Sequence, residues 1–407
     1  MSTQTRPAPG GATTPAPRTA PSTPAAGSRP GRWWHALRTY RPSAQLVPLL
    51  ATLALFLGML QVGGLRYEGF TSSQVILNLL TDNAFLVVLA VGMTFVILTG
   101  GIDLSVGSVV ALSTMVAAWT LQDGWSPYAA IAATLTVGTV LGLLTGLVIH
   151  HFDVQPFIAT LAGMFLARGL CYLISVESIP IRDDTFFFLA SEPIPIALAP
   201  WQGGVVIGLL GLGMLAALVR RRSLRSALVP VLVGLGVGMW VTLLLMGDPA
   251  LTTTYSVVIA LATVAVAVLV LHRTRFGRTV YAIGGSEASA LLMGLRVGLV
   301  KVGVYAVSGF CASLGGLLFA FYMLSGYSLH AVGMELDAIA AVVIGGTLLA
   351  GGRGLVVGSL LGVLVLGTIQ TFISFDGTLS SWWTKIVIGA LVLVFVVMQR
   401  VLTRRQP

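Results

Sequence analysis

Apolar runs near the length of a bilayer crossing, about 20 residues for a helix, recur along most of this chain. Runs of this length fix the solvent before anything else. Only 9% of the 407 residues are charged and 56% are hydrophobic, whereas a soluble domain is about one quarter charged. So few charges cannot cover a water-facing surface, and lipid must be most of the surroundings. The runs read as spans at roughly 44–63, 79–99, 105–121, 128–149, 156–176, 203–219, 227–246, 254–271, 302–324, 337–350, 354–373 and 383–399. The expected fold is all-α, a polytopic transmembrane helical bundle of roughly 12 spans over residues 44–400. The pieces at 105–121 and 337–350 are short, and are expected to bend or re-enter.

The basic residues give the orientation, because they concentrate on the cytoplasmic side of membrane proteins. With the N-terminus inside and the spans alternating, 19 of the 23 Lys and Arg residues fall on the inner side. Arg66, Arg182 and Lys385 fall outside, and Arg168 lies within a span. Both termini are therefore expected in the cytoplasm. The net charge of +9 marks that face and gives no reason to invoke nucleic acid. Trp382 and Trp383 fall at the outer interface, where indoles prefer to lie.

Residues 1–43 form a Pro-, Ala- and Thr-rich tail, expected to be disordered, that ends in a membrane-surface segment, "GRWWHALRTYR". The tail lacks the apolar core of a signal peptide. Residues 401–407 are a short cytoplasmic tail. Cys171 and Cys311 lie in apolar runs and read as small buried hydrophobes, not as a disulfide. Gly138, Gly142 and Gly146 repeat every four residues, as do Gly354, Gly358 and Gly362. On a helix each trio makes a flat face that admits a second backbone, either for packing or beside a substrate path.

Two interruptions are candidate sites. In "VILTGGIDLSVGSVVAL" two apolar halves flank Gly100, Gly101, Asp103 and Ser105. A carboxylate near membrane depth is costly, so it must be paired, solvated or capping a helix. The glycines can break the first helix, and Asp103 or Ser105 can cap the second. The alternative is a polar lining, because broken helices at membrane depth border cavities. A similar break follows in "VVIGGTLLAGGRGLVVGS", with Gly345, Gly346 and Thr347. Arg168, near the middle of its span, reads as a functional charge, a snorkelling side chain or half of an ion pair with a carboxylate.

The longest inner loop, 272–301, is expected to carry a short surface helix over Ser286–Leu295. Ala288, Leu291, Leu292 and Leu295 would be its apolar stripe, and Gly284, Gly285 and Gly294 flank it. A bare surface helix and a docking element for a cytosolic partner both fit. There is no phosphate-binding loop, no metal-ligand spacing and no nucleophile with a nearby base; His150 and His151 point apart on a helix. The chain is therefore read as a non-enzyme that does not itself hydrolyse ATP and that binds no metal. An ion-coupled secondary transporter would need coupling carboxylates near mid-membrane, for which Asp103 is the one weak candidate, and a membrane enzyme would need paired catalytic groups at one interface.

"GMTFVILTGGIDLSVGSVVAL", "AIGGSEASALLMGLRV" and "ELDAIAAVVIGGTLLAGGRG" resemble, in that order, the permease subunits of bacterial ribose/xylose/galactofuranose-type ABC sugar importers. The resemblance runs from about Leu79 to Arg400. "ESIPI" and "QTFISFDGTLSSWWTKI" are most like a galactofuranose-importer permease. It implies an ATP-driven monosaccharide importer in the bacterial inner membrane. ABC ATPase subunits would hold the ATP and Mg and grip a coupling loop, a second permease copy or a related permease would complete the path, and an extracytoplasmic sugar-binding protein would deliver the sugar. The family's coupling loop corresponds to Gly284, Gly285, Ala288, Ala290, Met293 and Gly294, with Glu287 and Leu291 inside the same segment. Such permeases have about ten spans, so the hairpin over roughly 205–250 is expected to be an insertion.

Overall fold

The computed structural model describes residues 46–196, 251–378, 380 and 382–404, with Gln202, Val205, Gly238 and Thr242 as isolated positions between them. The tail over 1–43, the spans expected at 203–219 and 227–246 and the hairpin over 205–250 lie outside the described residues.

Fourteen helices follow in chain order among the described residues. They are α1 (Leu46–Arg66), α2 (Ser73–Asp82), α3 (Ala84–Leu98), α4 (Val106–Gln122), α5 (Pro127–His151), α6 (Pro156–Ile174) and α7 (Asp184–Ser191), then α8 (Tyr255–Arg273), α9 (Arg275–Gly285), α10 (Glu287–Leu292), α11 (Val297–Met323), α12 (Met334–Ile344), α13 (Val356–Asp376) and α14 (Trp382–Arg404). Four two-residue strands add to the expected all-α fold: β1 (Ile179–Pro180) pairs with β4 (Ser325–Gly326), and β2 (Ile194–Pro195) with β3 (Thr252–Thr253), both antiparallel.

Among the described residues seven helices are long and apolar enough to cross a membrane, or eight if the bent pair α2–α3 counts as one span. The span expected over 79–99 is the second half of a bent pair that starts at Ser73 and turns by 57°. Asn83 causes the bend, for its backbone leaves helical geometry and its side-chain amide returns to the Leu79 carbonyl at 2.9 Å. The piece expected at 337–350 forms only the eleven residues of α12, which ends where Gly346 turns left-handed. Proline opens α5 and α6, where its missing N–H costs nothing.

The first glycine trio is a packing face. A methyl placed on Gly138 would stand 2.5 Å from the Ser313 Cβ, one on Gly142 2.9 Å from the Gly309 Cα, and one on Gly146 2.9 Å from the Val302 Cα. All three neighbours belong to α11, which α5 therefore touches backbone to backbone. In the second trio only Gly358 and Gly362 lie on α13, pressed against the carbonyls of Gly345 and Ala341; Gly354 precedes the helix and packs on Thr347. Outward-facing Leu143, Leu144, Phe157 and Phe165 stay exposed, as expected of helices solvated by lipid.

Gly142→Ala is expected to lower stability by about 1–3 kcal/mol through overpacking against backbone that cannot rotate away. Gly169→Ala, which meets nothing within 4 Å, gains the same helix propensity without the clash. Thermal unfolding of the two variants in detergent measures the difference, and equal melting temperatures would contradict the α5–α11 contact.

Candidate functional site

The first interruption begins where α3 ends. Gly100 and Gly101 turn back with N–H bonds to the carbonyls of Ile97 and Val96 at 2.9 and 3.1 Å. Gly100 has φ +82°, which L side chains avoid. Asp103 follows, only 2% exposed. Its Oδ1 accepts the Ser105 backbone N–H at 2.9 Å and the Ser105 hydroxyl at 2.6 Å, and its Oδ2 accepts the Ser308 hydroxyl of α11 at 2.7 Å. The Ser105 side chain makes no bond to the α4 backbone; of the two residues expected as caps, Asp103 is the one that accepts an N–H at the start of α4, that of Ser105. Asp103 also ties the start of α4 to α11. The Tyr305 hydroxyl is buried beside Gly101 without a hydrogen-bond partner among the described residues.

The second interruption follows α12. Its free carbonyls find donors on neighbouring helices: Thr52 of α1 donates to Ile344, and Gln399 of α14 donates to Val343 at 3.1 Å. Gly346 has φ +93° and Thr347 is fully buried. The loop closes on itself through Leu348 N–H to the Arg353 carbonyl at 2.9 Å.

The two interruptions meet. Gly352 N–H donates to the Leu98 carbonyl at 2.9 Å, and a methyl on Gly351 would stand 2.8 Å from the Gly100 nitrogen. Gly284, near the end of α9, lies against the same spot, and a methyl there would overlap both the Leu98 oxygen and the Gly352 nitrogen. A methyl on Gly352 would stand 2.8 Å from the Gly285 nitrogen. Three segments distant in sequence thus touch through main chain alone. Tyr281 braces the contact by donating to the Gly354 carbonyl at 2.9 Å. Burial pushes its phenol pKa up, so it remains a donor.

Beyond this contact lies α10, capped by Ser286, whose side chain accepts the Ser289 N–H at 3.2 Å. Gly294 ends the turn with φ +73°. The expected stripe is corrected here. Ala290, with no exposed surface, is the residue that packs down, onto Ile283 and Val297. Leu295 is half-buried, whereas Ala288, Leu291, Leu292 and Met293 face outward, Leu292 at 90% exposure. Glu287 pairs with Lys301 at 2.6 Å.

Among the described residues Arg168 has no carboxylate partner, and its guanidinium is not free. Its Nη1 donates to the Ser328 carbonyl, and to that of His330 at 3.0 Å, holding the loop ahead of α12. Sequence reasoning missed Ser308, Tyr305, Thr52, Gln399, Gly351 and Gly352. A serine beside a glycine inside an apolar run, as at Ser308–Gly309, was a legible signal of a close polar crossing.

Apolar helices broken at two points, with both breaks joined through main chain to a surface segment that carries uncovered leucines, make a multi-pass membrane permease. Residues 75–396 match the family described as branched-chain amino acid transport system / permease component, and the chain belongs to that family. It is 44% identical over 359 residues to the inner membrane ABC transporter permease protein YjfF of Escherichia coli K12, covering 88% of this chain and 93% of that one. It is 37% identical to the fructose import permease protein FruG of Bifidobacterium longum, covering 89% and 93%. It is 34% identical to the ribose import permease protein RbsC of E. coli K12, covering 88% and 95%. No solved structure matches the chain.

Asp103→Ala is expected to cost about 1–3 kcal/mol, because buried hydroxyl and amide donors lose their acceptor. Asp103→Asn keeps an acceptor oxygen and should cost less. Urea or thermal denaturation of the purified variants orders them, and a silent Asp103→Ala would contradict the bracket.

Proposed function

We propose that this chain is the membrane-spanning subunit of an ATP-driven sugar importer, with its Lys- and Arg-rich face and both termini in the cytoplasm and roughly twelve spans in all. The observation that carries the reading is the run Leu291–Leu292–Met293, uncovered at the end of α10 while the same segment reaches both helix breaks through Gly284. Exposed leucines on a water-facing turn mark an interaction surface. The partner that fits is an ATPase subunit, which would hold the ATP and Mg, since this chain has no phosphate-binding loop of its own. The named relatives supply the cargo class: two of them import fructose and ribose, and a monosaccharide such as ribose or galactofuranose is the proposed substrate here. A second permease copy or a related permease would complete the path, and an extracytoplasmic sugar-binding protein would feed it, all in the bacterial inner membrane.

The mechanism follows from where the backbone is in contact. A closing ATPase would pull α10, and Gly284 would move against Leu98 and Gly352 together, because no side chain lies between them to absorb the shift. Both interruptions, with Gly100, Gly101, Gly345 and Gly346 in their turns, would then change in one step, opening one side of the path as the other closes. Ion coupling through Asp103 is disfavoured, since both of its oxygens are already engaged inside the bundle.

Two substitutions separate docking from transmission. Leu292→Asp should leave the thermal stability of the chain unchanged yet reduce co-purification with the ATPase at least tenfold. Gly284→Ala should retain the ATPase but lower ATP-dependent uptake into liposomes at least tenfold. Ion-gradient-driven uptake by this chain alone, or labelling of Arg275 from the extracellular side of intact cells, would overturn the reading.

A further inference from the structure

We propose that the loop between α11 and α12 is a sugar-binding station at the depth of the bundle, recognising vicinal hydroxyls through Ser328, His330 and Glu335; this rests on the importer reading above. The loop enters from one end of the bundle and reaches deep. Gly326 presses on the Thr114 carbonyl and the Ala118 side chain of α4, and five residues later the Ala331 carbonyl would stand 2.8 Å from a methyl on Gly107. Thr114 and Gly107 are seven residues apart on one helix, so the loop descends about 10 Å along it. Gly107 itself lies fifteen residues before the end of α4, which places the tip of the loop about 20 Å below that end.

The groups gathered there are unsatisfied. Among the described residues, the Ser328 hydroxyl, on a residue 1% exposed, and the His330 Nδ1 are buried without hydrogen-bond partners. The Glu335 carboxylate, in the first turn of α12 and against Gly107, has no hydrogen-bond partner among the described residues. Buried polar atoms without partners are rare in proteins, and two on one loop, with a partly exposed carboxylate beside them, call for a ligand that brings both donors and acceptors. Sugar hydroxyls do both. The His330 ring lies 5.3 Å from Phe319 and 5.7 Å from Tyr327, edge to face with each, so apolar surface borders the polar groups, as the C–H face of a pyranose or furanose requires.

The loop is also held in place at a cost. Leu324 and Ala331, at φ +48° and +58°, are two of the three non-glycine residues with positive φ among the described residues, and such strain collects at functional sites. Arg168 fixes the shape by gripping the Ser328 and His330 carbonyls. That leaves the side chains of both residues free for another partner and makes Arg168 a positioning residue.

The test uses the full importer in liposomes, with ATP inside and binding protein outside. The probes are radiolabelled ribose, fructose and xylose, and monodeoxy analogues of whichever is carried, all at saturating concentration. Ser328→Ala and Glu335→Gln should each lower the uptake rate at least tenfold while co-purification with the ATPase is unchanged. Each should also shrink the preference for the parent sugar over one particular deoxy analogue, the one lacking the hydroxyl whose contact was removed. Ser328→Thr, which keeps the hydroxyl, should retain that preference. Unchanged uptake, or an equal loss for the parent sugar and every deoxy analogue, would overturn the station and leave the importer standing. A wild-type assembly that carries none of the sugars would overturn both.

Discussion

The carbonyl oxygen of Leu98 is the point on which the two helix breaks depend. In lipid a carbonyl released at a helix end cannot turn to water and must find a donor within the protein. At Leu98 that donor is the Gly352 N–H from the other break, so neither interruption is satisfied without its counterpart. The same rule operates at the end of α12, where Thr52 and Gln399 reach in from α1 and α14. An interruption inside this bundle is therefore a joint property of several helices and cannot be read as a local weakness of one.

Close backbone contact also explains why so many glycines are needed. Lipid tails are as apolar as leucine, so burial gives helices little reason to associate, and packing must supply it. Where α5 meets α11 through Gly138, Gly142 and Gly309, and where Gly284 meets Leu98 and Gly352, the absence of a Cβ brings main chains into contact. Such contacts have little slack, because a side chain can change rotamer to absorb a displacement and a peptide plane cannot. On the proposed mechanism, a bundle joined in this way would pass motion from a surface segment inward, while the long outer helices need only stay dissolved in lipid.

Much of this was legible in the sequence, and the gaps have physical causes. The apolar runs located every described helix long enough to cross a membrane, and the four-residue glycine spacing located the α5 face. Asp103 was legible as a costly group needing partners, but Ser308 lies 205 residues away, and no local pattern joins them. The stripe expected over Ala288, Leu291, Leu292 and Leu295 failed for a geometric reason. A wheel assumes a helix long enough to choose its own face, whereas α10 has only six residues. Its orientation is set by the turns at Ser286 and Gly294, which put Ala290 inward and leave the leucines out. The bend at Asn83 was missed because an apolar run says nothing about a side-chain amide that competes with the backbone.

The two ionisable groups singled out within the apolar runs, Asp103 and Arg168, are both met by neutral groups: hydroxyls and an amide for Asp103, carbonyls for Arg168. An ion pair between them would have satisfied both more simply. It would also have locked them, since removing one member of a buried pair leaves an uncompensated charge that costs several kcal/mol. Neutral dipoles are replaceable. A carbonyl or hydroxyl that lets go can be exchanged for water or for another hydroxyl at roughly the net value of one hydrogen bond, about 1 kcal/mol. A protein that must alternate between two arrangements, with a hydroxyl-rich cargo passing through, is better served by contacts that can be exchanged one at a time. On the mechanism proposed above, the partners around Asp103 and Arg168 suit movement, in the same way that the bare backbone at Gly284 does.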